Sequence, residues 1–437
     1  VRPPTTASPH DSSRAAGRGS QRAERGSPTG DRGGPPADRI PDRPTVTLTP
    51  RGVARAGSGH LWIYRSDIVD VQAEAGDIVQ VVGPRGRPVG EAFFSDKSQI
   101  ALRLVPSGAT AGAAATATIA AEGDALWRAR LKQAIAFRES LAIDATAYRL
   151  VHGEGDLLPS LIVDRYGDYL VIQTLSQATD RLLPVWVALL NELVAPQGIL
   201  ARNDGRVRGL EGLESKVEVV SGEVPEHVEV REGSVRYDVD LYTGQKTGLF
   251  LDQRENRQAA LQHARGRLLD CFSYHGGFAL ALAPRCTEVV AIESSEEASR
   301  HIRENAARNG ITSIDVRTTN VFDELRELDR GDERFDTIVL DPPAFAKSRA
   351  ALEKAMAGYK EINLRALKLL APGGTLITCT CSHHVDEATF GEIVYAAALD
   401  AQAHVSIIEK RMQSRDHPIL LGVPETYYLK CFILRKL

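Results

Sequence analysis

A chain of 437 residues has room for two or three domains, each with its own buried core. Hydrophobic content of 43% and charged content of 25% are ordinary for a soluble globular protein, and a net charge of −4 argues against a nonspecific basic coat for nucleic acid. Five scattered cysteines argue against a disulfide framework, and with no CxxC pair among them a structural zinc site is not expected.

Residues 1–43 mix Pro, Gly, Ser and Arg, with eight arginines against five acids and almost no large apolar side chain. Such a segment buries too little to offset chain entropy, so a disordered tail is expected, with an RNA-tethering arm as the alternative. No charged start runs into an apolar stretch, and apolar runs such as Val185–Leu190 are too short for a bilayer. A cytoplasmic chain without membrane contact is expected. From Thr45, the β-rich runs Thr45–Leu48, Asp77–Val82 and Ile100–Val105 alternate with turns such as Gly83-Pro84-Arg85-Gly86, which predicts a small β-barrel over 44–118. An Ala/Thr/Gly run at 107–120 reads as a linker. A central α+β domain over 119–240 follows, with a helix at Glu122–Leu141, strands at Ser160–Val163 and Tyr169–Leu175, and an amphipathic helix at Asp180–Leu193. From 241 to 437 strands and helices alternate, with strands read at 267–271, 287–292, 313–318, 335–340, 374–380, 404–409 and 426–435. This predicts an α/β, Rossmann-like domain with a seven-stranded, mostly parallel sheet covered on both faces.

In such sheets a ligand sits beyond the carboxyl ends of the strands. The first strand runs from Asp270 into Cys271-Phe272-Ser273-Tyr274-His275-Gly276-Gly277, where adjacent glycines let backbone approach a ligand at a helix start. The second ends at Glu293, followed by Ser294, placing a carboxylate where ribose hydroxyls can be held. There an exposed Glu at a strand end is the plainer reading; the third strand ends at Asn320-Val321, which offers an amide and a backbone group to an adenine. The fourth delivers Asp341-Pro342-Pro343-Ala344-Phe345, a stiff turn suited to gripping a flat, amino-bearing ring. The fifth reads Cys379-Thr380-Cys381-Ser382-His383-His384, with both cysteines on one face and Cys381 at the carboxyl end. Cys379, Cys271, Cys286 and Cys431 read as small buried hydrophobes. His383 and His384 lack a clear carboxylate partner, so no metal is expected.

With Tyr242-Thr243-Gly244-Gln245-Lys246-Thr247-Gly248-Leu249-Phe250-Leu251-Asp252-Gln253-Arg254, Gly358-Tyr359-Lys360-Glu361-Ile362-Asn363 and Asp416-His417-Pro418, the catalytic half resembles bacterial 23S rRNA cytosine carbon-5 methyltransferases of the RlmI type. Gly59-His60-Leu61-Trp62-Ile63-Tyr64 looks like that family's PUA-type RNA-binding barrel, and Asp156–Asp164 like its central domain. The resemblance implies a class I methyltransferase fold, S-adenosylmethionine (SAM) as cofactor, and large-subunit rRNA as partner; a homodimer is left open. It implies cofactor contacts from Phe250, Asp252, Gln253, Arg254, Asp270, Phe272, Ser273, Gly276, Glu293, Ser294, Asn320, Val321 and Asp341. Pro342, Pro343, Phe345 and Tyr274 fall to the target base, with Phe345 or Tyr274 stacking on it. Two departures stand out: Asn320 where an Asp is more usual, and Ser382-His383-His384 in place of Cys-Ser-Gly.

Carbon 5 of cytosine is too weak a nucleophile until a thiolate adds to carbon 6, and Cys381 is the expected thiolate, with Asp341 bonding the ring nitrogen or amine. Competing readings are an exocyclic-amine methyltransferase using Asp341 and Phe345 without Cys381, and an inactive RNA-binding assembly factor. A nucleotide-dependent oxidoreductase would want the missing GxGxxG.

Overall fold

In this computed structural model, residues 43–106, 119–345 and 352–437 are described. All but Arg43 of the tail expected at 1–43, and positions 107–118 of the expected linker, lie outside them. The first sheet comprises β1 (Thr45–Leu48), β2 (Trp62–Tyr64), β3 (Ile68–Gln72), β4 (Ile78–Val82), β5 (Pro88–Phe94) and β6 (Ile100–Val105), ordered β2-β6-β5-β4-β1-β3. Its edge strands β2 and β3 are separated only by the turn Arg65–Asp67, so the sheet curls back on itself around Val46, Ile63, Val79, Val81 and Leu102. A helix that periodicity does not suggest, α1 (Pro50–Gly57), follows β1; Thr49 caps it by accepting from Gly52 N at 3.1 Å, and Pro50 opens its first turn.

Helix α2 (Ile119–Ser140) packs on a second sheet of β7 (Ala147–His152), β8 (Leu161–Tyr166), β9 (Tyr169–Thr174), β10 (Gly198–Asn203) and β11 (Lys216–Gly222), ordered β11-β10-β9-β8-β7. Trp127 of α2 meets Trp186 edge-on at 5.2 Å, and Phe93 of β5 lies 5.6 Å from Trp127, so the first two sheets share a core. The helix expected at Asp180–Leu193 is two helices, α3 (Gln177–Arg181) and α4 (Leu183–Val194). Pro184 has no N–H to return to the preceding turn, which breaks the run. After the short α5 (Val207–Leu210), a hairpin of β12 (His227–Glu232) and β13 (Val235–Asp240) leads out of this part.

The third sheet holds β14 (Gly266–Cys271), β15 (Cys286–Glu293), β16 (Ile314–Thr318), β17 (Phe335–Leu340), β18 (Leu370–Thr380), β19 (Val405–Met412) and β20 (Lys430–Lys436), ordered β16-β15-β14-β17-β18-β20-β19. All neighbours are parallel except β20, which runs antiparallel to both β18 and β19. Helices α6 (Arg254–His263), α7 (Gly277–Leu282), α8 (Glu296–Arg308), α9 (Val321–Arg330), α10 (Leu352–Leu369) and α11 (Glu387–Asp400) supply the covering layers, and one core cluster lies on each face. The strand order steps from β14 outward in both directions, so the switch point falls between β14 and β17.

Buried ions tie the second sheet to the third. Asp416 accepts from Arg254 at 2.8 and 3.1 Å and from Arg149 N at 2.9 Å, while Arg138 donates to the Asp416 carbonyl at 2.7 Å. Residues 43–437 form one compact unit. Among the described residues no helix is long and apolar enough to cross a membrane.

Candidate active site

A crevice of about 960 Å³ opens over the carboxyl ends of β14, β15, β17 and β18. At its centre Asp270, buried at the end of β14, accepts from Ser273 Oγ at 2.6 Å and from Ala279 N at 2.9 Å. One carboxylate thereby folds the loop back and holds the first turn of α7. Phe272 and Tyr274 take left-handed backbone (φ 64° and 51°), and Gly276 does so at φ 84° as the residue before α7. Left-handed residues without a glycine's freedom are costly and persist where surrounding bonds fix them. Burial pushes the Asp270 carboxyl up to about 7. Beside it Glu293 accepts from Tyr274 N (2.9 Å), Ser294 N (2.8 Å) and Ser295 N (2.9 Å), which joins two strand ends through one side chain. A carboxylate has about four acceptor positions, so Oε2 keeps capacity for a hydroxyl.

Asp341 continues from β17 and accepts from Gln253 Nε2 at 2.8 Å; burial, with the charge of Asp252 beside it, raises its carboxyl to about 6. Pro342 and Pro343 line the crevice next to it. Cys381, just past β18, sits with Sγ 3.9 Å from the Pro342 carbonyl, and burial followed by the Asp341 charge lifts its thiol to about 11. Cys379 lies two residues deeper, fully buried and paired in register with Cys431. The segment before α6 closes the remaining wall. Lys246 donates to Asp252 Oδ2 at 2.7 Å and lies over the Phe250 ring at 4.3 Å, and Tyr428 OH donates to the same oxygen at 2.7 Å. The Lys246 and His417 charges, with these bonds, hold Asp252 far below the usual carboxylate range despite its burial.

Of the residues expected to meet a ligand, Phe250, Asp252, Gln253, Asp270, Phe272, Ser273, Tyr274, Glu293, Ser294, Asp341, Pro342, Pro343 and Cys381 share this crevice. Five lie outside its lining. Arg254 is buried against Asp416. Gly276 supplies a backbone turn rather than a surface. Asn320 caps α9, accepting from Phe322 N at 2.9 Å, and Val321 is buried beneath it. Phe345 packs among Phe272, Phe322 and Tyr359, 4.6 Å from the last, so of the two rings expected to stack on the base Tyr274 alone lines the crevice. Lys246, Tyr428 and His275 line the crevice without a role foreseen for them. Tyr428 reaches Asp252 across 176 positions of sequence, a contact with no local signal. His383 and His384 fall in the turn after β18.

Comparison with known proteins gives a consistent picture. A family model for S-adenosylmethionine-dependent methyltransferases matches residues 149–412, and one for a PUA-like domain matches residues 46–106. A protein of Tolumonas auensis, named ribosomal RNA large subunit methyltransferase I, is 39% identical over 386 residues, 86% of this chain and 95% of its own length. A protein of the same name from Aeromonas hydrophila is 40% identical over 386 residues, with the same coverage of each chain. A solved SAM-dependent methyltransferase from Streptococcus mutans superposes with TM-score 0.74 at 18% identity, over 90% of this chain and 99% of its own, a likeness of fold.

Proposed function

We propose that this chain, which belongs to the S-adenosylmethionine-dependent methyltransferase family and to the group named ribosomal RNA large subunit methyltransferase I, methylates carbon 5 of a cytosine in large-subunit rRNA through a covalent bond to Cys381. Its cofactor, SAM, supplies an electrophilic methyl group on a cationic sulfur. The residues fit it: Glu293 with spare acceptor capacity for ribose hydroxyls, Ser294 beside it, and the Phe272–Ser273 backbone for the amino-acid portion.

The observation that carries the reading is the placement of Cys381 at the carboxyl edge of β18, in one crevice with Asp341, Pro342 and Pro343. The thiolate's electron pair forms a bond to carbon 6, and the displaced π pair makes carbon 5 nucleophilic toward the methyl group. Asp341 bonds the ring nitrogen, where negative charge gathers as the sulfur adds. Once carbon 5 is methylated, a base takes its proton, the C–H pair restores the ring double bond, and the C6–S bond breaks to return the thiolate. Tyr274 is the ring available to a base drawn from its stack. Phe345, partly buried, packs on Phe272, Phe322 and Tyr359 outside the crevice lining, which weakens the exocyclic-amine alternative that needed it as a gripping ring. The PUA-like sheet and the central part, divided at about residues 118 and 240, supply the rest of the RNA contact.

RNA carrying 5-fluorocytosine tests the reading, because the fluorine does not leave as the proton would. A denaturation-resistant protein–RNA adduct on a Cys381 peptide is expected in the presence of SAM. Ordinary turnover by Cys381→Ala refutes the covalent route.

A further inference from the structure

The two oxygens of Asp252 have different surroundings. Oδ2 accepts from Lys246 Nζ and Tyr428 OH, both at 2.7 Å, whereas Oδ1 is buried and has no partner among the described residues. The residue is 3% exposed, yet it lines the crevice that also holds Cys381 and Asp341. Buried polar atoms are nearly always bonded, and a buried anionic oxygen left bare is costly. In a ligand crevice such an atom is an acceptor awaiting a donor.

We propose that Asp252 Oδ1 accepts a hydrogen bond from the exocyclic amine of the target base, and so selects cytosine over uracil. The inference rests on the cytosine carbon-5 reading above and extends it to substrate choice. Cytosine presents its N3 acceptor beside its amine donor, and uracil presents the reverse, an N3–H donor beside a carbonyl acceptor. The two carboxyls at this wall form a complementary pair. Asp341, raised to about 6, is able to carry a proton and give a hydrogen bond to N3. Asp252, kept ionised by Lys246 and Tyr428, only accepts. A uracil carbonyl would face an anion without a donor between them. Lys246 and Tyr428 already spend a donor on Oδ2, so neither leaves Oδ1 satisfied. The competing donor is the ammonium of the cofactor's amino-acid portion, and the experiment separates the two.

Three RNAs differing only at the target position would carry cytidine, its amine-free pyrimidin-2-one analogue, or uridine. For the wild type, removing the amine is expected to lower kcat/KM by about 10- to 100-fold, the range for losing the donor to a buried acceptor. In Asp252→Asn the same removal should cost less than about threefold, because the partner is no longer an anion. The variant should also yield 5-methyluridine from the uridine RNA, with SAM affinity measured alongside by calorimetry. An unchanged amine penalty in the variant overturns the proposal. So does a tenfold or larger loss of SAM affinity with that penalty intact, which gives Oδ1 to the ammonium. Asp252→Ser repeats the cycle if Asn unfolds the wall. A wild type that makes no 5-methylcytosine from the cytidine RNA overturns the underlying reading and this proposal together; 5-methylcytosine with equal penalties overturns this proposal alone.

Discussion

Burial and Asp341 hold the Cys381 thiol at about 11, so in the free chain it is almost wholly protonated at neutral pH. Ionising it at pH 7.5 costs roughly 5 kcal/mol, from about 3.5 units at about 1.4 kcal/mol each. A unit positive charge at roughly 5 Å, in an effective dielectric of about 20, returns about 3 kcal/mol, or some 2 units. SAM carries that charge on its sulfur, whereas its product S-adenosylhomocysteine (SAH) does not. The perturbation is therefore the exchange of one for the other, which changes charge while leaving the shape of the ligand almost the same. The assay is alkylation of Cys381 by iodoacetamide between pH 7 and 11, followed in the Cys381 peptide by mass spectrometry. With no ligand or with SAH, reactivity should climb toward pH 11, since the thiolate alone reacts. With SAM the curve should move down by about 2 units, giving about a hundredfold more thiolate at neutral pH. Coincident SAM and SAH curves, or a free chain titrating at the ordinary thiol value, would refute the argument that the cofactor's charge readies the nucleophile.

Glu293→Ala should weaken SAM binding roughly tenfold or more by calorimetry, since ribose hydroxyls left unpaired cost about 1–3 kcal/mol; unchanged affinity removes Glu293 from the site. Cys379→Ala should keep methyl transfer and cost at most about 1–2 kcal/mol of stability in denaturant titration, as a small buried side chain does. Loss of turnover there would move the chemistry one step down β18. Asp416→Ala should destabilise the chain by about 3–5 kcal/mol, the usual result of stripping one partner from a buried ion pair. A change below about 1 kcal/mol in the same titration would show that Arg254 finds water or another anion.

The third sheet was legible because its strands are short apolar runs bounded by turn or helix signals, and its seven predicted strands fall on β14–β20 with end shifts of a few residues. Two starts shift by four residues: β20 begins later, at Lys430, and β18 earlier, at Leu370, because Ala371-Pro372-Gly373-Gly374 continues the strand where it reads as a turn. In β10 every residue is buried, so the periodicity that marks a half-covered strand is absent. The site was legible where chemistry is local. Asp270, Glu293, Asp341 and Cys381 each end a strand, and strand ends converge by topology. Arg254, Asn320 and Phe345 were placed at the ligand by motif, but their surroundings are decided by partners distant in sequence: Asp416 for the first, the α9 backbone for the second, Tyr359 for the third. Asp252 and Lys246 sit in a segment that was singled out, yet the division of labour between the carboxylate oxygens depends on Tyr428.

The Asp416 junction bears on whether the catalytic half is a portable module. Cut free before Leu241, that half would keep Asp416 and Arg254 but lose the Arg149 N–H and the Arg138 guanidinium that complete their surroundings. A pair now sealed from water would lie on an open face, together with His417 and the back of Tyr428, both of which pack against His152 of the central part. Grafting such a fragment onto a different RNA-binding partner would transplant an unfinished surface. Recombination that preserves the enzyme has to carry both sides of this junction, so the central and catalytic parts are a single heritable unit.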